Sequence, residues 1–220
     1  MAGGQGLEPA FVTAEMVIFT ILAERLSVLL RRRRHEPFAG CWGLPGGRVR
    51  NDETLEAAAA RQLSEKTGIG GVYLEQLYSF GDPGRDPRGR VIAVSYYALV
   101  PYNRLRLLEL SDELAWYRVD DLPPLVFDHR RIVAMAQRRL SAKLDYSTIA
   151  LQFMPERFTL SELQAVYESI LGEALDKRNF RKRVQALGCL QETGELFRAG
   201  KHRPAKLFRI KSPGRVEIIK

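Results

Sequence analysis

The stretch GRVRNDETLEAAAARQLSEKTGI, which runs from Gly47 to Ile69, decides the fold of the first half of the chain. Residues 54–66 contain neither Gly nor Pro and are rich in Ala, so they are predicted to form a helix. Residues one helical turn apart share a side, which brings positions 62, 65 and 66 together. The stretch therefore predicts one helix face that carries Gln62, Glu65 and Lys66.

This stretch resembles the Nudix box, G-x5-E-x7-R-E-U-x-E-E-x-G-U, in which U is aliphatic. The pattern fits without a gap at Gly47, Glu53, Arg61, Leu63, Glu65, Gly68 and Ile69. Gln62 and Lys66 stand where the pattern has glutamates. In active members those glutamates gather Mg²⁺, which needs anionic oxygen ligands. The resemblance implies a Nudix fold that binds a nucleotide and hydrolyses it poorly, so no catalytic residue and no metal ligand is assigned.

The segments around the box indicate an α/β domain. CWGLPGG (41–47) places a Gly-Gly turn directly before the helix, where the backbone can approach a phosphate closely. Three apolar runs have strand character, at 15–22, 25–32 and 91–100. We expect a flexible N-terminus at 1–14 and, over 15–125, a Nudix-like domain with a mixed sheet between helices that binds the effector and forms the dimer contact.

Charge indicates a second domain. The chain has 220 residues, of which 45% are hydrophobic, so it can bury a core. Residues 176–220 contain 13 Lys and Arg against 4 Asp and Glu, whereas residues 1–175 contain 21 against 22. Although a solvated basic surface is the simpler interpretation of a charge run, so uneven a division favours an anionic partner for the C-terminal part.

Helix and turn signals in this basic part predict a winged helix-turn-helix. Thr159–Glu162 form a capping box, and an amphipathic stripe follows at Leu163, Val166, Tyr167, Ile170 and Leu171. A second, basic helix is predicted at 175–187, and a hairpin at 192–211. We place the winged helix-turn-helix at 144–220, after a connecting helix at 126–143.

The chain has no apolar run of membrane-spanning length and no signal-peptide pattern. Cys41 and Cys189 lie far apart, in no metal-ligand spacing. These features predict a cytoplasmic protein that has no membrane partner.

From about residue 15 to 211 the chain resembles the Nudix-related transcriptional regulators of bacterial NAD metabolism. The motifs are the degenerate box, FGDPGRDPRGRVIAVSYYALVP (80–101), PPLVFDHRRIV (123–133), LDKRNFRKRV (175–184) and HRPA (202–205). The resemblance implies a homodimeric repressor of NAD synthesis or salvage genes that binds a palindromic double-stranded operator. ADP-ribose, or a related NAD-derived nucleotide, is the implied effector, and no cofactor is required, although weak Mg²⁺ binding is left open.

The effector cleft is expected between the box helix, the LPGG turn and the loop 81–90. Arg85, Arg88 and Arg90 supply its cations. Aromatic residues such as Trp42 and Tyr97 could contact the ligand, and core packing is the alternative role for each of them. Lys66 either replaces the lost metal charge or is an ordinary surface lysine. The expected ligand-binding residues are Trp42, Gly46, Gly47, Arg61, Glu65, Lys66, Arg85, Arg88 and Tyr97.

The expected DNA contacts divide by role. Arg178, Arg181 and Lys182 are expected in the major groove, where arginine can read guanine. A second group is expected to hold phosphates and set the register, namely Lys177, Arg183, His202, Arg203 and Lys206. The segment 128–140, an amphipathic helix by its pattern, is expected to couple the two domains.

Two other functions are compatible with the sequence. One is an active ADP-ribose hydrolase with an accessory DNA-binding domain. The other is a repressor of the same architecture that responds to a sugar, although the loop 81–90 favours a phosphorylated nucleotide.

Overall fold

The computed structural model describes residues 9–107, 111–198 and 204–219. Its first part is a seven-stranded mixed sheet, ordered β3-β2-β1-β6-β5, in which β4 also pairs with β1 and β7 with β2. β1 and β6 run parallel, whereas the other pairs are antiparallel. The strands are β1 (Phe11–Leu22), β2 (Arg25–Arg32), β3 (Trp42–Gly43), β4 (Gly46–Arg48), β5 (Tyr73–Phe80), β6 (Val91–Leu99) and β7 (Leu114–Arg118).

Alternation along β1 divides the core into two layers. Met16 and Ile18 point to one face of the sheet and pack beneath helix α1 (Leu55–Thr67). Val17 and Phe19 point to the other face and pack against helix α2 (His129–Tyr146). Successive strand residues face opposite sides, so one strand serves both layers. The sheet therefore lies between two helices, as the sequence predicts.

The box helix begins and ends as expected. The Thr54 hydroxyl accepts a hydrogen bond from the Ala57 amide, at 3.1 Å. Gly68 ends the helix in the left-handed region at φ 66°, which glycine adopts without a steric penalty. Ala58, Ala59 and Leu63 form its buried face.

Two expected boundaries need correction. The segment expected to be flexible, 1–14, reaches too far, because Phe11–Ala14 already belong to β1 and pair with β6. The connecting helix expected at 126–143 is α2, which extends to Tyr146. α2 is also more than a connector, since Ile132, Ala136 and Leu140 are fully buried against the sheet.

The C-terminal part is a winged helix. It comprises a 3-10 helix (Ile149–Phe153), β8 (Phe158–Thr159), α3 (Leu160–Leu171), α4 (Lys177–Ala186), β9 (Leu190–Phe197) and β10 (Ala205–Ile210). The three strands form a sheet of order β8-β10-β9. The predicted capping box is present, as the Thr159 hydroxyl accepts from the Glu162 amide and the Glu162 carboxylate accepts from the Thr159 amide.

The core of the winged helix is continuous with that of the Nudix sheet. Tyr167 of α3 and Phe180 of α4 pack edge to face, with ring centroids 5.2 Å apart. Both belong to the same buried cluster as Phe19 of β1 and Leu140 of α2. The predicted α3 stripe is buried except for Leu171, which is 36% exposed. No helix in the described ranges has the length and apolarity needed to cross a membrane.

Candidate functional site

A cavity of about 250 Å³ lies at one end of the Nudix sheet. The LPGG turn forms part of its wall through Leu44, Gly46 and Gly47. The side chains of β1, the loop 81–90 and the first residues of α2 form the rest. The other lining residues are Phe11, Thr13, Glu15, Arg33, Arg48, Arg85, Asp86, Arg88, Val91, Phe127 and His129. We call this space the effector cavity, because it lies against the LPGG turn and the loop 81–90, where the sequence predicts effector binding.

The two glycines of the turn are needed because the chain approaches its neighbours closely. A Cβ on Gly46 would lie 2.3 Å from the Glu15 carboxylate and 2.6 Å from the Ala14 carbonyl oxygen. A Cβ on Gly47 would lie 2.5 Å from the side-chain amide of Gln62. At Gly46 any other residue would push the turn away from β1, whereas at Gly47 the Gln62 side chain would have to move.

The cations of the cavity are held in defined positions. The Arg85 guanidinium forms a two-pronged ion pair with Asp128, at 2.5 and 3.0 Å, and is only 4% exposed. Arg88 forms a similar pair with Asp86, at 2.6 and 2.9 Å. Such pairs fix the plane of each guanidinium, which suits recognition of a planar or phosphate group.

Phe127 provides an aromatic wall. The guanidinium carbons of Arg33 and Arg88 lie 5.0 and 6.0 Å from its ring centroid, within range of a cation–π interaction. Phe127 has φ 52° and Phe38, which packs against it edge to face, has φ 68°. Two aromatic residues in the left-handed region are uncommon, and such strain clusters at binding sites.

Glu15 and His129 carry the titratable chemistry of the cavity. Burial raises the pKa of Glu15 to about 7, against the opposing charge of Arg85. Burial lowers the pKa of His129 to about 3, so this imidazole is neutral at pH 7. Its Nδ1 accepts a hydrogen bond from the Leu44 amide at 2.9 Å, which ties α2 to the LPGG turn.

The expected effector-binding residues fall into two groups. Gly46, Gly47, Arg85 and Arg88 line the cavity, whereas Trp42, Arg61, Glu65, Lys66 and Tyr97 do not. For Tyr97 the prediction is wrong, because its side chain is fully buried in the core and packs against Tyr73. Trp42 packs against Tyr117, with centroids 5.1 Å apart. Within this cavity the start of α2 forms the wall that was expected from the box helix, and effector contacts by Arg61, Glu65 and Lys66 stay predictions.

The box residues that match the pattern hold the turn before the helix. Arg61 forms an ion pair with Glu53 at 2.5 Å and donates to the Arg48 carbonyl at 3.2 Å. This pair lowers the pKa of Glu53 to about 2, chiefly through the hydrogen bond from Arg61. Glu65 accepts a weaker bond from Arg61, at 3.2 Å. Arg61 and Glu65 are therefore seen in a structural role.

Sequence reasoning missed several residues of the cavity, including Glu15, Arg33, Phe127 and His129. Their positions carry little local signal, since Glu15 lies in an apolar strand and no second His or Cys stands near His129 in the sequence. The parallel pairing of β1 with β6 and the docking of α2 bring them together.

The basic helix α4 presents a cationic surface. Phe180 and Val184 face the core, and the opposite side forms a shallow hollow lined by Lys177, Arg178, Arg181, Lys182 and Gln185. Within the described parts of the chain, these four cations have no ion-pair partner. A row of free cations on one helix face suits a polyanionic partner.

The remaining expected DNA contacts differ. Arg183 donates to the Leu144 carbonyl at 2.5 Å and lies over the Tyr167 ring, although its side chain remains 43% exposed. The phosphate contact expected of Arg183 stays a prediction, and the bond to Leu144 gives this side chain a second role in holding α4 against α2. Lys206 pairs with Glu192 at 2.8 Å on the exposed face of the hairpin. His202 and Arg203 lie outside the described residues.

Comparison with known proteins divides the chain into the same two domains, a Nudix domain and a winged helix. A model of the NUDIX domain matches residues 13–136, and one of the NrtR DNA-binding winged helix domain matches residues 150–210. The ADPR responsive transcriptional repressor NtrR of Acinetobacter baylyi is 40% identical over 203 residues, which are 90% of this chain and 81% of that protein. This chain belongs to the NrtR family.

Solved structures of Shewanella oneidensis NrtR are among those that match this chain. Shewanella oneidensis NrtR complexed with a 27mer DNA is 39% identical, covers 91% of this chain and 93% of its own, and gives a TM-score of 0.84. The NUDIX domain of the same protein complexed with ADP ribose is 35% identical, covers 62% and 92%, and gives a TM-score of 0.54. The predicted fold class, a Nudix-like domain followed by a winged helix, is confirmed.

Proposed function

We propose that this protein is a transcriptional repressor of NAD synthesis or salvage genes that binds a palindromic operator as a dimer. ADP-ribose, or a related NAD-derived nucleotide, binds in the effector cavity and releases the DNA. Membership of the NrtR family supports this proposal. So do the complexes of Shewanella oneidensis NrtR with DNA and of its NUDIX domain with ADP ribose.

One observation carries the proposal, namely that the single helix α2 contacts both sites. Phe127 and His129, at its start, line the effector cavity, and Asp128 pairs with the cavity residue Arg85. At its other end the Leu144 carbonyl accepts a hydrogen bond from Arg183 of α4. A ligand that shifts the start of α2 would therefore move the DNA-binding helix.

α2 is rigid enough to transmit such a movement. Along its length Arg131 pairs with Asp82, and Lys143 pairs with Glu75 of β5. Its apolar face lies in the core cluster shared by the two domains. Packed cores rearrange between discrete states rather than deform continuously, so an effector-induced shift would turn the winged helix as a body.

A dimer follows from the size of the basic surface. One α4 helix covers one half-site, and a palindromic operator presents two half-sites about one helical turn apart. The Nudix domain, which carries little net charge, is the part best suited to form the contact between copies. Sedimentation of the protein with and without operator measures this assembly, and a stable monomer bound one to one would contradict it.

The test begins with selection of a binding sequence from random double-stranded DNA, followed by fluorescence anisotropy. ADP-ribose should weaken binding to the selected DNA. An effector shifts the conformational equilibrium toward the state that it binds more tightly, which here is the DNA-free state. By the same linkage, the DNA should weaken ADP-ribose binding by an equal factor in calorimetry. Equal ADP-ribose affinities with and without DNA would contradict the proposal.

Controls in the same experiment separate the other functions. A pentose or pentose phosphate in place of ADP-ribose tests the sugar-responsive alternative. Turnover of ADP-ribose with Mg²⁺ or Mn²⁺ tests the hydrolase alternative, for which we expect no rate above background because Gln62 and Lys66 replace two carboxylates. Metal-dependent turnover that is abolished by Glu65→Gln would favour an enzyme.

A further inference from the structure

Mg²⁺, which the Nudix fold implies, does not fit the residues on the box helix. The Gln62 side chain is buried, and its amide satisfies both neighbours only when it is assigned so that Nε2 donates to the Gly46 carbonyl at 3.2 Å and the oxygen accepts from Arg61 at 3.0 Å. An amide in this position offers the turn a donor and has no free oxygen for a cation. Within the described ranges, no group of three His, Cys, Asp or Glu side chains could hold a metal ion.

The carboxylates that remain near the box are already engaged. Glu53 is paired with Arg61, and Glu65 lies 3.2 Å from Arg61 and 3.6 Å from Arg50. Lys66 adds a positive charge one turn beyond Gln62. A dication placed here would meet more positive than negative charge, and Mg²⁺ requires anionic oxygen ligands.

The same part of the molecule contains an arginine hollow, which we define by Arg31, Arg32, Arg33, Arg34 and His35. The hollow has a volume of about 310 Å³, and Leu44 and Gly46 complete its wall. It shares Arg33, Leu44 and Gly46 with the effector cavity, so the two spaces are adjacent across the LPGG turn. A ligand that fills the cavity can extend into the hollow.

The positive charge of the hollow is only partly compensated. Arg34 pairs with Glu113 at 2.6 Å, and Arg32 lies over the Trp42 ring. Among the described residues Arg31 has no carboxylate partner. Burial and the charge of Arg31 lower the pKa of Lys66, so these cations repel one another. An anion between them would relieve that repulsion.

We propose that the arginine hollow and Lys66 bind a phosphate group of the effector directly, with no divalent cation between protein and ligand. The inference rests on the proposed function, in which ADP-ribose is the effector. Arginine suits the task because its guanidinium can donate two parallel hydrogen bonds to a phosphate, and the nearby Lys66 adds a point charge. The altered box would thereby exchange a metal-bridged contact for a direct one.

Calorimetric titration of ADP-ribose into the full chain, once in EDTA and once with excess Mg²⁺, tests this inference. We expect the two dissociation constants to agree within about twofold, because no metal bridge contributes to binding. A requirement for Mg²⁺ would overturn the inference and leave ADP-ribose as the effector. Absence of binding in both conditions would overturn the inference and the proposed function together.

Variants locate the contact. Arg31→Gln and Lys66→Gln should each weaken ADP-ribose binding in EDTA by about tenfold, the effect of losing a charged hydrogen bond. Arg25→Gln, an exposed arginine at the other end of β2, is the matched control and should bind like the unmodified protein. Unchanged affinity in both hollow variants, with melting temperatures that show them folded, would overturn the inference.

A converse variant restores the box. With Gln62→Glu and Lys66→Glu combined, carboxylates return to the helix face, and ADP-ribose binding should become weaker in EDTA and recover with Mg²⁺. The Mg²⁺ dependence is the informative readout, because a merely destabilised protein would bind less in both conditions. Binding that stays insensitive to Mg²⁺ while still strong in EDTA would count against a direct role for Lys66.

Discussion

The effector cavity and the α4 surface use arginine in opposite ways. In the cavity, Arg85 and Arg88 are held by Asp128 and Asp86, and the Arg85 side chain is almost fully buried. On α4, Arg178 and Arg181 have no carboxylate partner within the described residues and project from an exposed face. These two cavity arginines are thus fixed and neutralised by their partners, whereas the helix carries uncompensated charge on exposed side chains.

Each arrangement suits a different partner. A small nucleotide is recognised by a few hydrogen bonds whose donors must be in place beforehand, because each group ordered on binding lowers the affinity. DNA binding depends on the release of counterions by unpaired cations, and the side chains can adjust to the groove. The comparison predicts that substitutions in the cavity change stability, and that substitutions on α4 change DNA affinity.

The largest effect is expected on DNA binding. Arg178→Ala combined with Arg181→Ala should weaken binding to the selected operator by roughly 2–6 kcal/mol, since each arginine–guanine contact contributes roughly 1–3 kcal/mol. Anisotropy measures this loss, and calorimetry should show unchanged ADP-ribose affinity. Arg118→Ala, an exposed arginine on β7, is the control. An equal loss on unrelated DNA would indicate phosphate contacts instead of base reading.

Arg85→Ala tests the paired arginines. Removing Arg85 leaves the Asp128 carboxylate without its partner in a largely buried position, so the free energy of unfolding should fall by roughly 3–5 kcal/mol. Urea unfolding at neutral pH measures the change. Arg178→Ala, on the exposed face of α4, should change stability by less than about 0.5 kcal/mol. Similar losses in the two variants would remove the contrast between the two regions.

Glu15→Gln should reveal a pH dependence in the cavity. The pKa of Glu15 rises from 4.5 to about 7 on burial, so the folded state retains a proton that the unfolded state releases. The stabilising contribution of this group is full below pH 4.5 and is lost as the pH rises through about 7. Relative to the unmodified protein, the variant should gain on the order of 3 kcal/mol between about pH 4 and pH 8.

The measurement for Glu15 is urea unfolding of both proteins at the two pH values. Comparison with the unmodified protein isolates Glu15, since the low pKa of His129 acts in the opposite direction and is common to both. A difference in stability that does not vary with pH would show that the pKa of Glu15 is the same in the folded and unfolded states.

Among the variants expected to lose or gain stability, Arg183→Gln should change the free energy of unfolding least, and it tests the coupling between the two sites. Loss of the bond to Leu144 and of the contact with Tyr167 should lower the free energy of unfolding by about 1 kcal/mol. If Arg183 positions α4, the release of DNA by ADP-ribose should weaken as well. A variant that loses DNA affinity but keeps its full response to ADP-ribose would instead assign Arg183 to a phosphate contact.

Local sequence determined the elements and the division of the chain. The Ala-rich run predicts α1 within one residue of its observed bounds, and the Thr159–Glu162 capping box predicts the start of α3. Apolar periodicity predicts the buried face of α3, and the charge division identifies the basic helix. These features depend on interactions within a few residues, so the sequence displays them directly.

Tertiary structure alone decided which side chains meet at the two sites. Glu15 lies more than one hundred positions before Phe127 and His129 in the sequence. They meet because β1 pairs with β6 and α2 packs on the sheet. The same packing buried Tyr97, whose type and strand position are equally compatible with a ligand platform. It also bonds Arg183 to the Leu144 carbonyl of α2, whereas the other cations of α4 line an open hollow. Pairing and packing between distant segments settle such contacts, and no local pattern encodes them.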